Sequence, residues 1–317
     1  MYKKQHTQLT FGENILYQNL PDDLLLELDR LINWKPFERI LSKLHPSSVG
    51  RPAYDPLLML KILIIQQIYG HSDPEMEIML YGNLFYRRFL GLSATDPVPD
   101  HSTIPRFRKD LKSMNLYRTC FKELKRQLAE KGYELKCGKI TDARLVKAAR
   151  NPGKGDSDAA FAKKGNQTIY GYKDHIAVDP KHEFVTEFVC TPANVHDSQV
   201  IDELLSGDET AIFADKAYDS RALKRWCREK GVYYGVLAKG TRNRKISSSQ
   251  KKRNRKLGAV RRKVEKVFGI FSLHLNRAKA RYVGLAANEI HLFLTVFTYN
   301  LLRLWWHLRR KRSVVAV

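Results

Sequence analysis

The sequence predicts an α/β protein: a mixed five-stranded sheet with flanking helices, preceded by an all-α N-terminal domain. Two observations predict it. Up to about residue 136 the apolar residues recur at helical spacing. From residue 137 the apolar runs shorten to strand length, first as a hairpin and then in alternation with helices.

In the first part, Pro21-Asp22-Asp23 starts a helix before Leu24, Leu25, Leu28 and Leu31. Arg51-Pro52 and Pro56 punctuate the chain, and a second helix follows through Tyr69. Ser72-Asp73-Pro74-Glu75 has the form of a capped helix start, with Pro near the first helical position and Met76, Ile78, Met79 and Leu80 beyond it. Pro97–Thr103 reads as a loop leading into a basic helix with Arg106, Arg108, Lys109 and Lys112.

In the second part, Lys139–Val146 is strand-like, and the Gly-, Asp-, Ser- and Lys-rich segment 151–167 reads as a mobile loop. Tyr170–Val178 and Phe184–Cys190 form a hairpin around the turn 179–183. Asp197 is expected to cap a helix carrying Val200, Ile201, Leu204 and Leu205, and Ala211–Ala214 is a short strand ending at Asp215. A helix over Arg221–Lys230, a strand over Val232–Leu237, a basic loop and a helix near Val260–Phe271 complete the order. A meander followed by right-handed β-α-β units is the element order of the ribonuclease-H-like fold. The expected divisions are a helical segment over 1–48, a helical domain over 49–136, the sheet domain over 137–305 and a basic tail over 306–317.

The charge points to the partner. Lys and Arg total 56 against 33 acidic residues, a formal net charge of +23. Such an excess attracts polyanions, and nucleic acid is the leading one. Cys120, Cys137, Cys190 and Cys227 lie far apart with no C-x-x-C, so neither zinc nor a disulfide framework is indicated, and reduced thiols in a cytosol are expected. The start, MYKKQHTQLTFGEN, has no apolar stretch of the signal-peptide kind. Leu57–Tyr69 carries Lys61, Gln66 and Gln67, and Ile290–Trp306 is interrupted by His291, Asn300 and Arg303. Both therefore read as buried helices rather than membrane spans.

Three carboxylates are placed for chemistry. With the first and fourth predicted strands as parallel neighbours, Asp142 lies toward the end of one and Asp215 ends the other, where α/β sheets gather their ligands. Glu265 lies on the helix after the fifth, at the edge of the stripe Val260, Val264 and Phe268, one turn past Arg261. Converging carboxylates repel unless a cation sits among them. Oxygen ligands favour Mg²⁺, and two such ions suit in-line displacement at a phosphodiester. Asp197 and Asp219 read as capping or packing residues, and His175 and His196 as structural. No G-x-x-x-x-G-K-[ST] occurs, so ATP-driven chemistry is not indicated.

From Lys239 to Lys263 there are twelve basic residues and no acidic one. Lys251, Lys252, Arg253, Arg255, Lys256, Arg261 and Arg262 lie in this run, beside the carboxylate site, as candidates for phosphate contact. Lys163 and Lys164 in the preceding loop, and Arg106 and Arg108 in the helical part, join them.

The segments ITDARLVKAAR, GYKDHIAVD, NVHDSQVIDELL, ADKAYDS and RRKVEKVFG resemble those of bacterial insertion-sequence transposases of the IS-five type. The upstream GRPAYDPLLMLKILIIQQIYG and VPDHSTIPRFRKDL are similar to that family's N-terminal helical domain, and the likeness spans roughly residues 50 to 302. The resemblance implies a DDE triad of Asp142, Asp215 and Glu265 holding Mg²⁺ (two ions, Mn²⁺ able to substitute). It implies DNA as partner (terminal inverted repeats and target), a homodimer or higher synaptic complex, and a place in the cytoplasm at the nucleoid. Related transposases carry Y-x2-R-x3-E-x6-K around the glutamate. Arg261 and Glu265 match it, while Gly258 stands at the Tyr position and Ser272 at the Lys position. Two alternatives stay open: a catalytically decayed DNA-binding protein, and a ribonuclease-H-like nuclease without strand transfer.

Overall fold

The computed structural model describes residues 10–44, 52–133, 135, 138–240 and 245–315; of Lys164 and residues 311–315 it describes the backbone alone. Cys137, Arg242 and Arg244 lie outside the described residues. Two compact units emerge, one of residues 1–127 with 301–317 and one of residues 128–300.

The first unit is helical: α1 (Phe11–Asn19), α2 (Leu24–Leu31), α3 (Lys35–Leu41), α4 (Pro56–Tyr69), α5 (Asp73–Gly82), α6 (Leu84–Leu90), α7 (Thr103–Ser113) and most of α8 (Leu116–Glu130). The predicted starts hold. Asp23 caps α2 through the Leu26 amide, and Ser72 and Glu75 form a reciprocal capping box on α5. α4 is buried nearly all round, as its apolar run requires, with Leu58, Leu60, Ile62, Leu63 and Ile65 in the core. Among the described residues no helix is long and apolar enough to cross a membrane.

The second unit is a six-stranded mixed sheet flanked by helices. In chain order it contains β1 (Lys139–Lys147), β2 (Ala160–Lys164), β3 (Gln167–Val178), β4 (Val185–Pro192), α9 (Ile201–Leu204), β5 (Ala211–Ala214), α10 (Arg221–Glu229), β6 (Tyr233–Val236) and α11 (Ser248–Leu273). α12 (Leu285–Val315) follows, giving residues 285–300 to this unit and 301–315 to the helical one. β1 pairs β3 antiparallel and β5 parallel, and β5 pairs β6 parallel. β4 pairs the second half of β3.

The sixth strand corrects the five-stranded expectation. β2 falls in the segment read as a loop and pairs the first residues of β3, from Ala160↔Gly171 to Lys164↔Gln167. The two-residue connection is Gly165-Asn166, with Gly165 at φ +60°, a hairpin dipeptide that the surrounding glycines and charges obscured. Gly171 sits where these pairings meet. A Cβ there would lie 2.1 Å from the Val146 carbonyl oxygen, so only glycine allows β1 to approach.

Two further boundaries differ. Asp197–Gln199 is a 3-10 turn capped by His196 rather than by Asp197, whose carboxylate instead pairs with Lys173 at 2.8 Å. The basic run expected as a loop is helical from Ser248, because Lys, Arg and Gln favour helix and Ser247 with Gln250 forms a capping box. α11 buries Leu257, Val264, Val267, Phe268 and Phe271 and leaves Val260 half-buried.

Two of the polar residues in α12, His291 and Asn300, are core ties. Asn300 accepts from the Val185 amide at 2.9 Å and donates to its carbonyl at 2.8 Å, holding β4 beside its register shift. Arg277, in the segment before α12, is fully buried and forks onto Asp174 of β3 at 2.7 and 2.9 Å, with His291 at 2.8 Å on its other side. Removing one member of such a pair strands the other charge in the core. Arg277→Met is expected to cost about 3–5 kcal/mol in denaturant unfolding, whereas Asp174→Asn with Arg277→Met should recover part of that loss. A neutral single variant would contradict this role.

Candidate active site beside β1 and β5

The parallel pairing of β1 with β5 sets the site. Their register ends at Thr141↔Ala214, so Asp142 and Asp215 are the next residues on neighbouring strands. β1 itself runs on to Lys147 along β3, which places Asp142 within the strand rather than at its end. Asp215 begins a 3-10 turn, Lys216–Tyr218, as β5 leaves the sheet.

Two carboxylates so placed need positive charge. Arg261 of α11 supplies it: Nη2 stands 3.1 Å from Asp142 Oδ2 and Nη1 stands 3.5 Å from Asp215 Oδ1. The Ala143 amide donates to Asp142 Oδ1 at 3.0 Å. Burial nevertheless dominates and pushes the Asp142 carboxyl up to about 6; Arg261 and the amide oppose this, while the charges of Asp215 and Glu265 add to it. Glu265, one turn beyond Arg261, is exposed, and its field reaches Asp142.

Among the described residues, no three His, Cys, Asp or Glu side chains converge closely enough to hold one ion as placed. The cation between the two aspartates is the guanidinium. Hard carboxylate oxygens on both sides of a cation are a donor set suited to a divalent ion. The residues thus fit such an ion once Arg261 gives way.

Tyr218 is a neighbour that sequence reasoning passed over within ADKAYDS. Its hydroxyl is buried without a partner and lies in the fields of Asp197, Asp142 and Asp215; burial raises its pKa, and these charges add to the rise. Arg144 is another. It lies two residues past Asp142 and donates to the Phe268 carbonyl at 2.9 Å and to Ser272 Oγ. A cation in a strand, in alternation phase with Asp142, was the available signal. The competing residues have structural partners. Asp219 pairs with Lys224 at 2.6 Å, and Ser220, not Asp219, caps α10. His175 is buried against Thr191 Oγ1 at 3.0 Å, and burial lowers its pKa to about 4.

The basic candidates divide by exposure. Lys163, Lys251, Lys252, Arg255, Lys256, Arg262 and Arg106 are exposed. The side chain of Lys164 lies outside the described set. Arg253 is half-buried and donates to the Val236 and Tyr234 carbonyls at 2.9 and 2.6 Å, which ties α11 to β6. Arg108 must be corrected: it is buried in the helical unit, bonded to Asp73 at 3.0 Å and to Gln66, and offers no free guanidinium to a ligand. Its place on α7 matches the core-facing Ile104, Phe107 and Leu111, a phase that the basic composition of the segment hid.

Residues 134–301, more than half of the chain, match the family described as Transposase DDE domain, and residues 14–110 match Transposase domain (DUF772). The chain belongs to the DDE-domain transposases and is a DDE-type DNA transposase. Among solved structures it is similar to a piggyBac transposase in a synaptic complex with hairpin DNA, at 11% identity and TM-score 0.50, covering 94% of this chain and 77% of that one. That likeness concerns the fold alone. A transposase in the Mos1 strand transfer complex overlaps 93% of this chain and 89% of its own at 11% identity, but its TM-score of 0.19 carries no argument.

The Asp142 carboxyl makes a pH prediction. It ionises at about 4 in the unfolded chain and about 6 in the folded protein. Between those values the native state holds a proton that the unfolded chain has lost, so the group costs stability as pH rises through this window, on the order of 3 kcal/mol. Asp142→Asn is expected to unfold at higher denaturant than wild type above pH 6 and to lose that advantage at about pH 4. Equal midpoints at both pH values would rule this out.

Proposed function

We infer that the protein cuts DNA at the ends of a mobile element and joins the exposed 3′-hydroxyls to target DNA, as an insertion-sequence transposase of the IS-five type. The observation that carries this reading is the pair of aspartates beside β1 and β5, with Arg261 between them and Glu265 on the same helix. Asp142, Asp215 and Glu265 would hold divalent metal, Mg²⁺ with Mn²⁺ as a substitute and two ions in all. When bound, these ions supply the charge that activates the attacking hydroxyl and stabilises the leaving oxygen.

In the first step water attacks phosphorus at the element end, the phosphorus–O3′ bond breaks, and the 3′-oxygen leaves as a hydroxyl. In the second step that hydroxyl attacks a target phosphodiester and releases a target 3′-hydroxyl. The chain's part is to hold its carboxylates in place and keep the phosphate backbone beside them. The exposed cations of α11 and Lys163 serve the second task. The helical domain, with Arg106 on its surface, is assigned to binding the terminal inverted repeats and to dimerisation, since two ends must be held together. The reading puts the protein in the cytoplasm at the nucleoid.

Asp142→Asn and Asp215→Asn are expected to retain binding to labelled duplexes of the DNA flanking the gene while losing metal-dependent cleavage by about 10³-fold or more, an estimate on the order of what metal-site loss costs. Full cleavage by either variant would overturn the assignment. Cleavage without products joined to a target plasmid would instead favour a nuclease.

The exposed cations of α11 and Lys163 set the salt response. Affinity should fall by roughly 10³–10⁵-fold between 50 and 200 mM salt if six to ten phosphates are neutralised. Changing Lys251, Lys252, Arg255 and Lys256 to Gln should make the logarithmic slope shallower by about 3 to 4 units. An unchanged slope would remove α11 from the DNA path.

A further inference from the structure

Arg144 is a half-buried cation without a carboxylate of its own. Among the described residues no acid forms an ion pair with it. The nearby Asp174, its cross-strand partner, is already held on both oxygens by Arg277. A guanidinium keeps its charge even when burial works against it, so such a group calls for an anion. Only Nη1 is engaged, by the Phe268 carbonyl and Ser272 Oγ. No described group accepts from Nη2 or Nε, and neither is among the fully buried atoms lacking a partner, so that edge of the half-buried fork keeps some contact with solvent.

Its position is set twice. Along β1, Asp142 and Arg144 are two residues apart and share a face. Along α11, Arg261, Glu265, Phe268 and Ser272 are spaced four, three and four residues apart, a single face of the helix. That face lies along β1 with Arg261 on Asp142 at one end and Arg144 on Ser272 at the other. Glu265 comes between them, and Ser272 lies about 10 Å further along the helix axis.

We propose that Arg144 is a phosphate-binding residue of the reaction site, gripping the backbone of the DNA strand that passes Asp142. It supplies from the strand the positive charge that related sequences place on the helix at position 272. This rests on the reading of the site given above. Ser272 then has a defined part. Its hydroxyl orients the fork, and a lysine there would set a second cation against the first. A guanidinium with an open edge also suits a phosphate, whose oxygens can take two parallel N–H donors.

Four proteins test this: wild type, Arg144→Gln, Ser272→Lys, and the double variant Arg144→Gln with Ser272→Lys. Each is assayed for Mg²⁺-dependent cleavage of the labelled flanking duplex, for the salt slope of binding to it, and for thermal unfolding. Gln keeps a polar, hydrogen-bonding amide at this half-buried position but is shorter and has no charge. It is expected to melt near wild type, to cleave roughly 10- to 100-fold more slowly, and to bind with a slope shallower by about one unit. Ser272→Lys alone should lower the melting temperature, and the double variant should regain most of the cleavage and the lost unit of slope.

A purely structural Arg144 would give the opposite pattern. Arg144→Gln would then cleave in proportion to its folded fraction, and the lysine added in the double variant would restore nothing. Either wild-type cleavage and slope in Arg144→Gln or failure of the double variant to recover overturns the proposal. If wild type cleaves no better than Asp142→Asn, the proposed function fails, and the salt slopes alone still decide whether Arg144 holds a phosphate.

Discussion

Two like charges held side by side by parallel strand pairing are the constraint on which the rest depends. The register Thr141↔Ala214 leaves Asp142 and Asp215 adjacent, and strand geometry gives neither room to move away. Burial raises the cost of charging Asp142, and easier uptake of a proton is one way that cost is relieved. The other is Arg261, whose two terminal nitrogens reach one aspartate each. A site that already commits a guanidinium to this pair is one where a stronger cation has something to gain. On the proposed reading, metal affinity and the position of α11 would be coupled, since an ion and the arginine would compete for the same oxygens.

α11 joins the parts. Its exposed first turns carry Lys251, Lys252, Arg255 and Lys256, while its later turns bury Val264, Val267, Phe268 and Phe271. Hydrophobic packing of the second half fixes where the charges of the first half point. Arg253 fastens the helix to β6, and Arg144 fastens it to β1. On the same face as α11, Asp174 with Arg277 ties β3 to the segment before α12, and Asn300 holds β4 through the Val185 backbone. The carboxylates stand on a frame whose polar ties are buried, and this limits how far they can drift apart under repulsion.

Much of this was legible in the sequence because the physics is local. The Asp23 and Ser72 caps, the apolar α4, and the strand ending at Asp215 each follow from a few neighbouring residues. Asp142 and Asp215 also fall side by side once the parallel order is assumed. Glu265 is expected with them, whereas the group between the two aspartates is Arg261 and Glu265 is exposed one turn on. What was hidden depends on distant partners. β2 exists because the start of β3 offers it an edge, and Arg108 is buried because Asp73, far away in sequence, receives it. Lysines and arginines between Ser248 and Lys263 look like a loop until their helix propensity and the Ser247 cap are weighed against their charge. Nothing near Arg144 announces its bond to Ser272, which crosses from strand to helix.

Mn²⁺ titration followed by electron paramagnetic resonance reads the shared-cation claim most directly. Wild-type protein is predicted to take up Mn²⁺ with release of protons at about pH 5.5, just below the raised pKa of Asp142. Asp142→Asn and Asp215→Asn are each predicted to lose that uptake while remaining folded. Equal Mn²⁺ binding by wild type and both variants would show that the two aspartates do not share an ion.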